Sequence, residues 1–173
     1  MIGSMIDQRI ETSRIVYASP AVIFAVLRDP RGHVAIDSSG MLMSAEGEPV
    51  SAAGDTFVVH MDRESLGDRP MGRYDVTVHI ASYVPDREIS WTIVGVMRPP
   101  VGHVYGYRLE RVGEADGGGT RVVSWCDWSD IHPQYRDSDL FPVISAASLR
   151  ATLGILARTV QTFPAPVVAV PPS

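Results

Sequence analysis

Leu149-Arg150-Ala151-Thr152-Leu153-Gly154-Ile155-Leu156-Ala157-Arg158-Thr159-Val160-Gln161-Thr162-Phe163 is the stretch on which the reading of this chain turns. Leu149, Leu153, Leu156, Val160 and Phe163 recur at intervals of four, three, four and three, which makes one apolar stripe on an α-helix. Arg150, Arg158 and Gln161 fall off that stripe. Asp137, Ser138 and Asp139 are candidate caps before the helix, and Pro142 suits its first turn. Pro164 ends it, leaving a Pro/Val-rich tail over 164–173. A helix with one apolar stripe must bury it against another element, so the nature of the upstream elements fixes the fold class.

Upstream, the pattern is almost all strand. Residues 9–18 mix polar and β-branched side chains and predict a first strand. Ser19-Pro20 is a cap followed by a helix-starting proline, and Val22, Ile23, Val26 and Leu27 then predict a short helix over 20–28. Asp29-Pro30 stops it, and a second short helix is predicted over 30–36. Strands follow at 41–46, 55–62, 73–84, 88–94, 103–111 and 120–127, separated by turns such as Pro85-Asp86 and Gly117-Gly118-Gly119. Between 75 and 80, Val76, Val78 and Ile80 alternate with Asp75, Thr77 and His79, the period of a half-buried strand. The prediction is an α+β domain: a curved antiparallel sheet of seven strands, two short helices, and a long C-terminal helix on the concave face. One helix does not fill the hollow of such a sheet, so an internal, ligand-sized cavity is expected, lined by alternate residues of the strands.

The totals exclude several classes. The 173 residues suit one domain with a core over about 9–163, and 45 % apolar with 20 % charged residues is ordinary for a globular chain. A net charge of −5, with no basic block, gives no reason to expect a nucleic-acid partner. One cysteine, Cys126, excludes an intrachain disulfide framework and a Cys-rich zinc site. Residues 1–11 lack the basic and apolar regions of a secretory signal, and no apolar run reaches the roughly 20 residues of a membrane span. A cytoplasmic location is expected; monomer and dimer both remain open. No Gly-x-Gly-x-x-Gly, Walker or nucleophile-elbow motif occurs, so no cofactor is expected.

This order of elements, together with Ala-Ser-Pro-Ala-Val-Ile-Phe at 18–24 and Gly-Gly-Thr-Arg-Val at 118–122, resembles the START-like (SRPBCC) superfamily with its helix-grip fold. That group includes polyketide cyclases/dehydrases and Bet v 1-type proteins. The likeness covers 10–163. Segments 63–68, 103–107 and 127–129 look like those of uncharacterised actinobacterial members. The resemblance implies binding of lipids, polyketides or other hydrophobic molecules, with catalysis in only some branches, and no catalytic set transfers onto these positions.

His103, Tyr105 and Tyr107 stand at i, i+2 and i+4 of one strand and therefore share a face, where an imidazole and two phenols could orient a ligand or move a proton. Tyrosines also serve as amphipathic core fillers. Trp91, between Ile89 and Ile93, reads as pocket wall or core. Trp125 and Asp127 share one face of the last strand, and Ser124, Cys126 and Trp128 the other; the sequence does not decide which is inward. A buried Asp127 would need a partner such as Arg63 or Arg121. The expected ligand-facing set is Trp91, His103, Tyr105, Tyr107, Trp125, Asp127, Leu149 and Leu153. His60 and Asp62 point away from the apolar Phe57, Val59 and Met61, and no metal site is expected because too few ligands converge. His33 and Asp37 are an i, i+4 pair expected on the surface near the cavity mouth. The leading expectation is a non-catalytic carrier or sensor of a hydrophobic small molecule. An aromatase/cyclase-type enzyme and a protein-interaction module are the alternatives.

Overall fold

The computed structural model describes residues 7–162. Phe163 and the tail over 164–173 lie outside the described residues. The elements run β1 (Arg9–Val16), α1 (Pro20–Leu27), α2 (Pro30–Ile36), β2 (Leu42–Glu46), β3 (Thr56–Asp62), β4 (Arg73–Val84), β5 (Glu88–Val94), β6 (Val104–Arg111), β7 (Thr120–Asp127) and α3 (Ala146–Thr159). All seven strands form one antiparallel sheet in the order β1-β7-β6-β5-β4-β3-β2. Consecutive strands β2 to β7 are a simple meander, and β1 joins at the far side of β7, with Arg9 opposite Asp127 and Val16 opposite Thr120.

Local chemistry explains the boundaries. Ser19 caps α1 by accepting from the Val22 N–H at 3.3 Å, and Asp29 caps α2 by accepting from the Arg31 N–H at 2.9 Å. A proline follows each cap, where its missing N–H is no loss. The two helices meet closely because position 32 is glycine: a Cβ there would lie 1.8 Å from the Val26 carbonyl oxygen. Strand β1 ends two residues before the expected boundary because the Ala18 N–H turns back onto the Val16 carbonyl.

The largest departure from the sequence pattern is the start of α3. Asp137, Ser138 and Asp139 do not cap it. Ser145 does, accepting from the Ser148 N–H at 3.1 Å. Residues 136–145 instead form a strap, whose Leu140, Phe141 and Ile144 pack on a second apolar cluster of Val101, Cys126, Trp128, Ile131 and Tyr135. Those side chains are better buried on this cluster than wound into an extra helical turn. The stripe itself is as predicted where described: Leu149, Leu153 and Leu156 are buried.

Helix α3 lies chiefly along β1, with lesser contact to β7 and α2, so it grips one flank of the sheet. The main core joins Leu153 and Leu156 to Val16, Ile23, Phe24, Val59, Val78, Ile80, Ile89 and Val122. The rest of the hollow, expected to be an open cavity, is largely filled by side chains. Phe24 and Tyr83 meet edge to face with centroids 5.4 Å apart, and His33 from α2 drops between Phe57 and Trp91 at 5.0 and 4.8 Å. Two short helices with large inward residues supply what the single long one does not.

Candidate functional site

Strand pairing decides which side chains face inward. Trp91 is opposite Tyr105, Ile89 is opposite Tyr107, and both tyrosines lie across from Cys126 and Ser124 on β7. Because side chains alternate along strands, Trp91, Tyr105 and Tyr107 form one inner aromatic wall. Trp91 lies 6.0 Å from Tyr105 and 5.7 Å from Tyr107 between ring centroids. Tyr107 is fully enclosed, but Trp91, Tyr105 and Ile93 remain partly exposed although they face the hollow. The grip is therefore incompletely closed over β5 and β6.

His103 precedes β6 and extends the wall, its ring 5.2 Å from Tyr105. It is only 6 % exposed, and its Nδ1 atom is enclosed without a hydrogen-bond partner among the described residues. A buried polar atom without a hydrogen-bond partner costs about 1–3 kcal/mol. Burial also lowers the His103 pKa to about 4. The same desolvation raises Tyr105 and Tyr107 well above the usual phenol range and pushes the Cys126 thiol up to about 12. At neutral pH every group on this wall is uncharged.

The expected companions divide. Leu149 and Leu153 are buried on the inner face of α3, Leu153 within the main core. Trp125 and Asp127 are a correction: they stand on the convex face, one residue out of phase with Ser124 and Cys126. Trp125 lies over Gly106, where a Cβ would come within 2.3 Å of its ring, and the Arg9 guanidinium covers the indole at 4.4 Å. Asp127 pairs with Arg9 at 3.4 Å and accepts from the Ser129 N–H and hydroxyl. Neither Arg63 nor Arg121 is its partner; Arg63 binds Asp68 through two hydrogen bonds of 2.9 and 2.8 Å.

His33 is a second correction. It is buried, its Nε2–H donates to the Leu27 carbonyl at 2.8 Å, and burial lowers its pKa to about 4. Asp37 turns the other way and receives the N–H groups of Ser39 and Leu42. Residues not singled out from the sequence complete the surroundings: Phe141 beside His103, Trp128 beneath Phe141, and Tyr74 near Arg63. The aromatic residue ahead of Pro142 was the available signal for Phe141, hidden by the expectation that helix would begin there.

On the outer face, His60 sits between Asp75 (2.6 Å) and Glu46 (3.3 Å), which raise its pKa. A depression of about 330 Å³ opens beside it, and one of about 390 Å³ lies against the 64–72 loop. No three His, Cys, Asp or Glu side chains among the described residues converge as a metal site. No helix among them is long and apolar enough to cross a membrane.

Solved structures share this architecture. A protein from Chromobacterium violaceum is 13 % identical with a TM-score of 0.63, over 89 % of this chain and 97 % of that one. Truncated norcoclaurine synthase from Thalictrum flavum is 14 % identical with a TM-score of 0.61, over 92 % and 96 %. The AHSA1-like protein from Aeromonas hydrophila is 15 % identical with a TM-score of 0.58, over 88 % and 92 %. The fold they share with this chain is the α+β helix grip. No family profile matches the chain, and no curated protein matches it in sequence.

Proposed function

We propose that this chain binds a hydrophobic small molecule against the inner wall of Trp91, Tyr105 and Tyr107, with His103 at the open end, and serves as a carrier or sensor. One observation carries the reading: Trp91 and Tyr105 face the hollow yet stay partly exposed. Apolar surface in that position gains roughly 25 cal/mol per Å² when a ligand covers it. The hollow is already well filled, so the ligand is flat or small, or it displaces part of the strap.

Geometry and protonation together favour binding over cyclase chemistry. A proton shuttle works best with a pKa near the working pH. The wall histidine is held near 4, the wall phenols sit far above neutrality, and Asp127 is on the other side of the sheet. These groups orient a carbonyl or hydroxyl better than they transfer its proton.

Native mass spectrometry of freshly purified protein tests the reading directly, with a co-purified small molecule as the expected result. Titration with an environment-sensitive apolar fluorophore such as anilinonaphthalene sulfonate is the complement. Saturable binding is expected in wild type. Absence of both a retained molecule and saturable fluorophore binding would sink it.

A further inference from the structure

Phe141 occupies an unusual place for a loop residue. Its ring stacks on Trp128 with centroids 5.5 Å apart and planes at 11°, and it also meets the His103 imidazole at 5.2 Å and 63°. Trp128 and His103 are both buried, at 7 % and 6 % exposed. The slot between them is thus the size of one six-membered ring, with an indole face on one side and an imidazole on the other.

The residue filling that slot is weakly held. The strap is anchored at its start by the Tyr135 hydroxyl, which donates to the Pro99 carbonyl at 2.7 Å, and at its end by the Ser145 cap. Between them, among the described residues, no backbone–backbone hydrogen bond is made by 139–144. Apolar packing of Leu140, Phe141 and Ile144 alone keeps it down. Segments with few hydrogen bonds and few buried contacts open at low free energy.

The filling is also chemically incomplete. A phenylalanine ring offers nothing to a buried imidazole nitrogen, and His103 Nδ1 has no other partner among the described residues. Whichever tautomer the neutral ring adopts, a hydroxyl suits it, because a hydroxyl both donates and accepts. We infer that Phe141 is a built-in plug in a subsite for a hydroxylated aromatic ring, with the ring taking the place of Phe141 on Trp128 and its hydroxyl pairing with His103. The inference rests on the small-molecule reading above and gives it a ligand class: phenolic molecules, whose first ring enters as the strap lifts.

The experiment uses phenol and toluene, two probes of near-equal size, followed by the indole resonance of Trp128. In Phe141→Ala the slot is empty, as engineered apolar cavities that take up benzene are. Phenol is expected to bind this variant about tenfold more tightly than it binds wild type, and about tenfold more tightly than toluene binds the variant, the worth of one hydrogen bond in a buried site. Adding His103→Leu is expected to keep toluene binding and erase the preference. Equal affinity of Phe141→Ala for the two rings, or phenol affinity unchanged from wild type, overturns the inference. Should Phe141→Ala fail to fold, wild-type protein at millimolar phenol decides: the Phe141, Trp128 and His103 resonances shift together, or the inference fails. Fluorophore binding that persists without any phenol preference sinks the plug alone; phenol uptake without fluorophore binding or a retained molecule sinks the reading of the Trp91 wall alone.

Discussion

His33 shows what a single buried imidazole does to the whole protein. Its folded pKa is about 4 and its ordinary value 6.5, so the unfolded chain takes up a proton in a range where the native one does not. Stability from this group is therefore complete above about pH 6.5 and is lost as pH falls from there to about 4, by roughly 3 kcal/mol. His103 shifts in the same direction and shares the window. Urea denaturation at pH 7 and 4.5 should show a drop in wild type and about half that drop in His33→Phe; an unchanged drop would refute the assignment. The carboxylates with lowered pKa, Asp55, Asp68 and Asp127, act only at lower pH, below the ordinary value of 3.8. Nothing in the sequence announced His33, because an i, i+4 His–Asp pair on a short helix normally faces water. The helix axis had to be placed before its inner face was known. Trp125 and Asp127 were illegible for a related reason: both faces of β7 carry a tryptophan neighbourhood, and only the pairing of Gly106 with Trp125 settles which is outside.

Among elements, the strands were the most legible. The expected strands at 73–84, 88–94 and 120–127 coincide with β4, β5 and β7, since alternation and turn residues are local signals. Helix α2 also matches, fixed by Asp29-Pro30 and released at Asp37. The start of α3 is a tertiary decision. Asp137 and Asp139 are chemically good caps, and only the burial of Leu140, Phe141 and Ile144 on the cluster around Trp128 moves the helix start to Ala146. Ser145→Ala is accordingly expected to destabilise the protein by about 1 kcal/mol, whereas Asp137→Ala and Asp139→Ala change it by less than about 0.5 kcal/mol. Chemical denaturation of the three variants distinguishes them. Equal losses would return the cap to the earlier position.

For the whole molecule, the sheet separates two surfaces of different chemistry. The inner one carries the aromatic wall, while the outer one carries ion pairs such as Arg9 with Asp127 and His60 with Asp75 and Glu46. Substitutions should sort by face. Trp91→Ala is expected to weaken fluorophore binding about tenfold, as loss of a central aromatic contact does. Trp125→Ala and Asp127→Asn should leave it within about twofold, since rim and distal groups contribute little. Fluorescence titration of the three variants measures this, and comparable losses from both faces would place the ligand elsewhere.

The pairing of β1 with β7 also has a cost in time. Arg9 and Asp127 are hydrogen-bonded across a separation of 118 residues, so β1 emerges from a ribosome long before the strand it needs. Until then its Ile10, Ile15 and Val16 have no sheet to join, and α3, which rests mainly on β1, arrives later still. Pairings so remote in sequence form slowly and leave strand edges open meanwhile. The hairpins of β2 to β6 can assemble during synthesis; closure of the grip waits until β7 and α3 have been made.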